Sequence, residues 1–257
     1  MTGPATEDFE YPAALYELVH RGTAGDLSFY GRVCRSARTV LELGCGYGRV
    51  LASLCEAGDL ALTGLERDPE LLARARARLP GAVALVQADM TDFDLGAARF
   101  DRILIPHSGV YCLPDDERTV ACFRACARHL TRDGRLVFDA YAADRFHAEA
   151  DRADHTGEQL EPVVTVEHEG VCYDVFERST WWPERQRLDV VYEYIPRAGG
   201  DAAVGRLLHH YLLQDQIAPL LERAGLRLAT LAGDFQGRDA TPDDDMWVAT
   251  AVHPDAA

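Results

Sequence analysis

Glu42, Gly44, Gly46 and Gly48 fall on alternate positions, directly after the apolar pair Val40 and Leu41 and with Leu43 between them. Glycines so placed let the backbone take positive φ and approach a ligand closely, and a helix starting just beyond them offers unpaired N–H groups. Single acidic or titratable residues then follow other apolar runs: Glu66 after residues 60–65, Asp89 after 82–87, His107 after 100–106, and Asp139 late in 135–140. Carboxylates at such points accept hydrogen bonds from ligand hydroxyls or amines, and a histidine takes up a proton near neutral pH. The chemistry on offer is capture of a nucleoside-like ligand beside a proton acceptor.

The elements that must position these residues alternate. Residues 39–43 read as a strand running through the glycines into a helix over 49–57, and 60–65 as a second strand ending in Glu66. Asp68-Pro69 supplies an N-cap and a first-turn proline for a helix over 70–79. Strands over 82–87, 100–106 and 135–140 follow, with a helix begun by residues 114–117 between the last two; Val120, Phe123, Ala127 and Leu130 form its apolar face. Such alternation predicts a doubly wound α/β parallel sheet. The pattern then changes to three antiparallel strands, 163–168, 171–181 and 187–195, before a helix near 215–224 that contains Pro219, and two last strands, 226–231 and 245–252. Helices over 12–20 and 26–34 precede everything, joined through Gly22 and Gly25.

At 257 residues the chain has room for one α/β core with an insertion. A formal net charge of −16 opposes a nucleic-acid partner and favours a small-molecule substrate. No apolar run approaches a membrane span, and no leader is evident, so no membrane partner and a cytoplasmic location are expected. The seven cysteines include no Cys-x-x-Cys pair and read as reduced, mostly buried residues. No set of metal ligands converges; neighbouring His209 and His210 point to opposite sides of a strand.

Two ligand classes compete for the glycine turn. The dinucleotide fingerprint needs glycine at position 49, where this chain has Arg49. An acid before the first glycine sits badly near a pyrophosphate but suits a ligand carrying an ammonium and a sulfonium. Glu66, at a spacing of 22 from Gly44, stands where a second strand would deliver a carboxylate to ribose hydroxyls. The run from Glu42 to Gly48 resembles motif I of the class I S-adenosylmethionine-dependent methyltransferases, and the resemblance extends over about residues 36–140 and 205–253.

That resemblance implies a Rossmann-like, seven-stranded sheet whose last strand is antiparallel, with an inserted β meander after strand five, and S-adenosyl-L-methionine as cofactor. It implies cofactor contacts from Glu42, Gly44, Cys45, Gly46 and Gly48, from Glu66 and Arg67 at the ribose, from Asp89 and Met90 at the adenine, and from Pro106. From the N-terminal segment Tyr16, with His20, Arg21, Tyr30 and Arg32 the other polar and aromatic candidates, would approach the methionine end, and Tyr16 or Tyr47 could face the sulfonium, with ordinary packing the alternative for Tyr16, Tyr30 and Tyr47. Segments 1–35, 36–155, 160–197 and 205–257 would be an N-terminal helical cap, the cofactor-binding core, a lid or pocket wall, and the return to the core sheet. The meander could equally be a dimer surface, which leaves a homodimer open.

The family places the transferable methyl at the end of strand four. His107, Tyr111 and Asp139 are therefore the catalytic candidates. Ile105-Pro106-His107-Ser108 replaces the Asn/Asp-Pro-Pro-Tyr of the branch that methylates nucleic-acid or glutamine amides. A turn ending Gly46-Tyr47-Gly48-Arg49 together with a late meander is similar to bacterial methyltransferases of amino sugars, amines and other specialised metabolites. Methylation of a small-molecule amine or hydroxyl is the expected activity, nitrogen ahead of oxygen. The alternatives are a protein or peptide acceptor, a non-catalytic S-adenosylmethionine-binding protein, a dehydrogenase, and an aminopropyltransferase, which should carry an acidic pair where this chain has His107 and Ser108.

Overall fold

The computed structural model describes residues 11–56 and 58–256; the expected helix end at Ala57 and the first ten residues of the expected N-terminal cap lie outside them. The chain divides into two compact units, Gly22–Ala148 with Leu212–Ala257, and Met1–Arg21 with Glu149–Tyr211.

The larger unit is built on a sheet of β1 (Thr39–Leu43), β2 (Ala61–Glu66), β3 (Ala84–Gln87), β4 (Phe100–Ile105), β5 (Leu130–Tyr141), β10 (Arg227–Ala232) and β11 (Met246–Val252). Their spatial order is β10-β11-β5-β4-β1-β2-β3. The strands from β5 to β3 pair in parallel, while β11 runs antiparallel to both β5 and β10, as expected of the last strand. β1 lies inside the sheet between β4 and β2, and Val40, Leu41 and Leu43 are fully buried, the unbroken burial of a strand covered on both faces. Helices α2 (Asp26–Cys34), α3 (Arg49–Glu56), α4 (Pro69–Arg78), α5 (Asp116–His129) and α7 (Gln214–Arg223) accompany it. Asp68 caps α4 as its sequence suggests, accepting from the amides of Glu70 and Leu71 at 2.7 and 2.9 Å. Tyr30 and Cys34 of α2 join Val50, Leu51 and Leu54 of α3 and Leu72 and Ala75 of α4 in one apolar core.

The smaller unit holds α1 (Ala13–Val19) and an antiparallel sheet in the order β6 (Glu161–His168), β7 (Val171–Trp182), β8 (Arg187–Pro196), β9 (Ala203–His210). The meander thus has four strands where three were expected. Residues 205–210, read in sequence as the start of the return to the core, belong instead to β9, which pairs along β8 from Ala203–Tyr194 to His210–Arg187. The alternation in β9 of buried Gly205 and Leu207 with exposed Val204 and Arg206 suits either sheet, so only pairing decides. Gly205 is required here: a Cβ would lie 2.5 Å from the Tyr11 ring laid across the sheet. α1 and the rest of the expected cap fall in different units, with Tyr16 in the smaller and Tyr30 in the larger.

Candidate functional site

β1 ends at Leu43, and the chain turns through Gly44, Gly46 and Gly48 at φ of 62°, 54° and 80°. These left-handed values explain glycine at all three. Their surroundings differ. A Cβ on Gly48 would meet Leu79 at 2.9 Å, so that glycine lets the start of α3 pack on the end of α4, whereas a Cβ on Gly44 or Gly46 would meet no atom within 4 Å. The first two glycines therefore leave a cradle in which a ligand can reach the backbone.

Glu66, at the end of β2, is buried and closes this turn: Oε2 accepts from the Gly46 amide at 2.8 Å, and Oε1 from the amides of Arg67 and Asp68 at 2.8 and 2.9 Å. Burial pushes its carboxyl up, opposed by those three amides. With about two lone pairs on each oxygen, Oε2 keeps the capacity to accept one more donor.

Beneath the turn, Glu42 is 3% exposed and its Oε2 is buried without a hydrogen-bond partner. Burial pushes this carboxyl up to about 8, against the pull of Arg49 and the Leu51 backbone. A buried carboxylate oxygen lacking a donor is costly, which is reasonable only if a ligand supplies one. Arg49 is itself committed to Asp26 at the first turn of α2, with contacts of 3.0 and 2.5 Å from its two terminal nitrogens. Both side chains are largely buried, at 15% and 5% exposure. Sequence reading noted Arg49 as a missing glycine and as the end of the glycine turn but gave it no partner, and gave Asp26 no role; an acid opening a helix looks like an ordinary cap.

At the end of β4, buried Pro106 leads into His107 and Ser108, both left-handed at φ of 54° and 57°. Each costs about 1–2 kcal/mol in a residue other than glycine. The turn is held from β5: Asp139 Oδ1 accepts the His107 amide at 3.0 Å, the Asp139 carbonyl accepts the Ser108 amide at 3.0 Å, and Ser108 Oγ accepts the Tyr141 amide at 3.2 Å. The same Asp139 Oδ1 accepts the hydroxyl of Tyr30 from α2. Burial pushes Asp139 up to about 6 despite both donors. Burial holds the His107 imidazole below the usual histidine range, reinforced by Arg49 and opposed by Asp26. His107 is neutral at pH 7.

The remaining candidates have other surroundings. Tyr111 is fully buried, and its hydroxyl points to the carbonyls of Tyr141 and Leu212 at 2.8 and 3.2 Å. Cys45 is buried and its amide donates to the Leu65 carbonyl. Tyr47 lies under the Arg78 guanidinium, 4.7 Å from the ring centre. Exposed Asp89 folds back on Thr91, accepting its amide and hydroxyl at 2.8 and 2.7 Å, with half-buried Met90 between them and Arg67 exposed. Burial tends to raise the Asp89 carboxyl, but the Thr91 bonds, Arg67 and Arg118 hold it below the usual range. Tyr16, in the smaller unit, stacks on His20 at 4.3 Å beside Tyr11. Among the described residues no group of His, Cys, Asp and Glu could hold a metal ion, and no helix is long and apolar enough to cross a membrane.

The methyltransferase-domain family profile matches residues 40–134, from β1 into the strand after α5. The cypemycin N-terminal methyltransferase of a Streptomyces species is 26% identical over 163 residues; the match spans 56% of this chain and 66% of that protein, just under two thirds of its length. Two solved structures are similar along nearly their whole length. The S-adenosylmethionine-bound amino pentose methyltransferase of calicheamicin biosynthesis from Micromonospora echinaspora is 25% identical, with a TM-score of 0.69 over 95% of this chain and 98% of that one. A sugar N-methyltransferase from a Streptoalloteichus species is 25% identical, with a TM-score of 0.70 over 98% of each chain. The cradle over Gly44 and Gly46 and the unpartnered Oε2 of Glu42 fit the S-adenosylmethionine that the amino pentose methyltransferase holds. Residues 40–134 thus match a methyltransferase domain, and the sheet order, the glycine turn and these likenesses are those of the class I S-adenosylmethionine-dependent methyltransferases, with S-adenosyl-L-methionine as cofactor.

Proposed function

We propose that this protein methylates an amine nitrogen of a small molecule, of the amino-sugar or peptide N-terminal type on which its similar proteins act. The observation that carries the reading is a neutral, half-buried His107 at the end of β4, its backbone amide bonded to Asp139. When bound, S-adenosyl-L-methionine supplies a methyl group already activated on a sulfonium. The chain's own work is then to hold and to move protons. Glu42, with its unpartnered Oε2, would hold the cofactor's ammonium, Glu66 a ribose hydroxyl, and Asp89 with Met90 the adenine. An amine acceptor must arrive unprotonated or lose its proton on transfer, and His107, neutral at pH 7, is the group that accepts it. A hydroxyl acceptor would ask for the same base. Amines are preferred because three similar proteins are named for amine-bearing substrates or nitrogen methylation.

Calorimetric titration of the cofactor-stripped protein with S-adenosylmethionine and with NAD is the first test, followed by acceptor screening with a labelled methyl donor. Binding of the former alone, with label passing to amino sugars or amino-terminal peptides, is the expected result. Label passing only to phenols or carboxylic acids would sink nitrogen transfer. Binding of NAD instead would sink the whole reading.

A further inference from the structure

The His107–Ser108 turn places two successive non-glycine residues in left-handed backbone conformation, at the position proposed to carry the base. Such strain persists only where the surroundings over-determine it. Three bonds from β5 do so, and the pivotal one falls on Asp139 Oδ1, which accepts the His107 amide at 3.0 Å. That oxygen also accepts the phenol of Tyr30, a fully buried residue of α2 that sequence reading set among the candidates for the cofactor's methionine end, with packing as the alternative. Asp139 is only 3% exposed, and water is a poor substitute for either donor there. Without the Tyr30 hydroxyl, the carboxylate would keep one of these two donors and would rotate or take up a proton, loosening its hold on the turn. α2 is itself fixed at its other end by the Asp26–Arg49 pair, so the phenol is presented from a rigid element.

We infer that Tyr30 is a positioning residue: through Asp139 it fixes the left-handed His107–Ser108 turn and thereby the imidazole assigned above to the acceptor's proton. The inference rests on that assignment for its catalytic meaning, but the geometry is testable without any acceptor. The groups that face the imidazole are Arg49 from α3 and Asp26 from α2, with Asp139 of β5 bonded to its backbone. If the turn relaxes, the ring moves away from this set and toward solvent, and its titration moves toward that of an ordinary histidine.

The experiment is an NMR titration of the imidazole signals of the full chain, with the His107→Gln variant used to assign one resonance among the nine histidines. Tyr30→Phe, Asp139→Leu and Asp139→Asn are compared with the parent, each with a thermal melt. Tyr30→Phe and Asp139→Leu are expected to raise the His107 midpoint by at least about half a pH unit, toward the ordinary value. Asp139→Asn keeps a side-chain carbonyl that accepts both donors and should hold the midpoint near the parent's. An unmoved midpoint in a folded Tyr30→Phe protein, even with a lower melting temperature, would overturn the inference and leave Tyr30 as packing. Should Asp139→Leu fail to fold, Tyr30→Phe decides alone, since it removes one oxygen and adds no bulk. Failure of the parent to bind S-adenosylmethionine would count against the proposed function and leave the histidine titration readable.

Discussion

The two sides of the core sheet's carboxyl edge are held together differently. On the β1–β2 side the bonds join neighbours in the chain: Glu66 takes the amides of the two residues after it and reaches back 20 positions to Gly46. On the β4–β5 side the bonds are long-range, 32 positions from His107 to Asp139 and 109 from Tyr30 to Asp139. The first side is a local motif that a spacing rule can describe. The second exists only after the sheet and α2 have assembled, and its parts carry no common sequence signature. The Asp26–Arg49 pair links α2 to the local side.

Cutting that link should have the largest effect. Asp26→Ala leaves the Arg49 guanidinium buried and unpaired, and loss of one partner of a buried pair costs about 3–5 kcal/mol. Urea denaturation should show it as a lower midpoint at unchanged slope. A loss below about 1 kcal/mol would mean that water already reaches Arg49 and that α2 is not braced by it.

Within the glycine turn, the contrast is between packing and cradle. Gly48→Ala adds a Cβ 2.9 Å from Leu79 to a left-handed residue and should cost about 2–3 kcal/mol of stability. Gly44→Ala meets no protein atom and should cost only the backbone share, about 1 kcal/mol, while weakening S-adenosylmethionine binding in calorimetry. Equal stability losses at the two positions would erase the distinction.

The fold was legible in the sequence because burial writes itself as pattern. Near-continuous apolar runs gave the parallel strands, and Met246–Val252 was expected and found as an antiparallel last strand. Residues 203–210 were not legible, because alternation tells which face is buried and not which strand lies alongside. At the site, the positive φ of Gly44, Gly46 and Gly48 follows from residue type. The left-handed His107 and Ser108 do not, since neither residue advertises that backbone, and nothing in the spacing ties Tyr30, a candidate for the methionine end, to Asp139 instead.

Glu42 sharpens the comparison through pH. Its folded-state carboxyl, at about 8, lies above its ordinary range, so between about pH 4.5 and 8 the folded protein binds a proton that the unfolded chain has lost. Stability of the cofactor-free protein should therefore fall as pH rises through this window, by about 2 kcal/mol or more. Asp139 adds the same sign at lower pH, up to about 6. Glu42→Gln removes the ionisation: denaturation at pH 5 and 8 should then give nearly equal stabilities, and S-adenosylmethionine should bind about tenfold more weakly for want of a charged acceptor. If stability still falls as steeply in the variant, the proton sits elsewhere.

The smallest effect concerns Tyr47, inside the glycine motif and packed under a cation. Its ring is buried against the Arg78 guanidinium at 4.7 Å, and Arg78 is exposed. A cation over a ring at an exposed site is worth about 0.5–1 kcal/mol. Arg78→Ala should lower stability by no more than that and leave cofactor affinity unchanged, because the contact only ties exposed Arg78 of α4 to the turn. Tyr47→Leu should cost more stability, through lost packing, again without changing affinity. A several-fold loss of affinity in Tyr47→Leu, with Arg78→Ala silent, would instead turn the ring toward the sulfonium and give the local side of the edge an aromatic contact that the geometry assigns to packing.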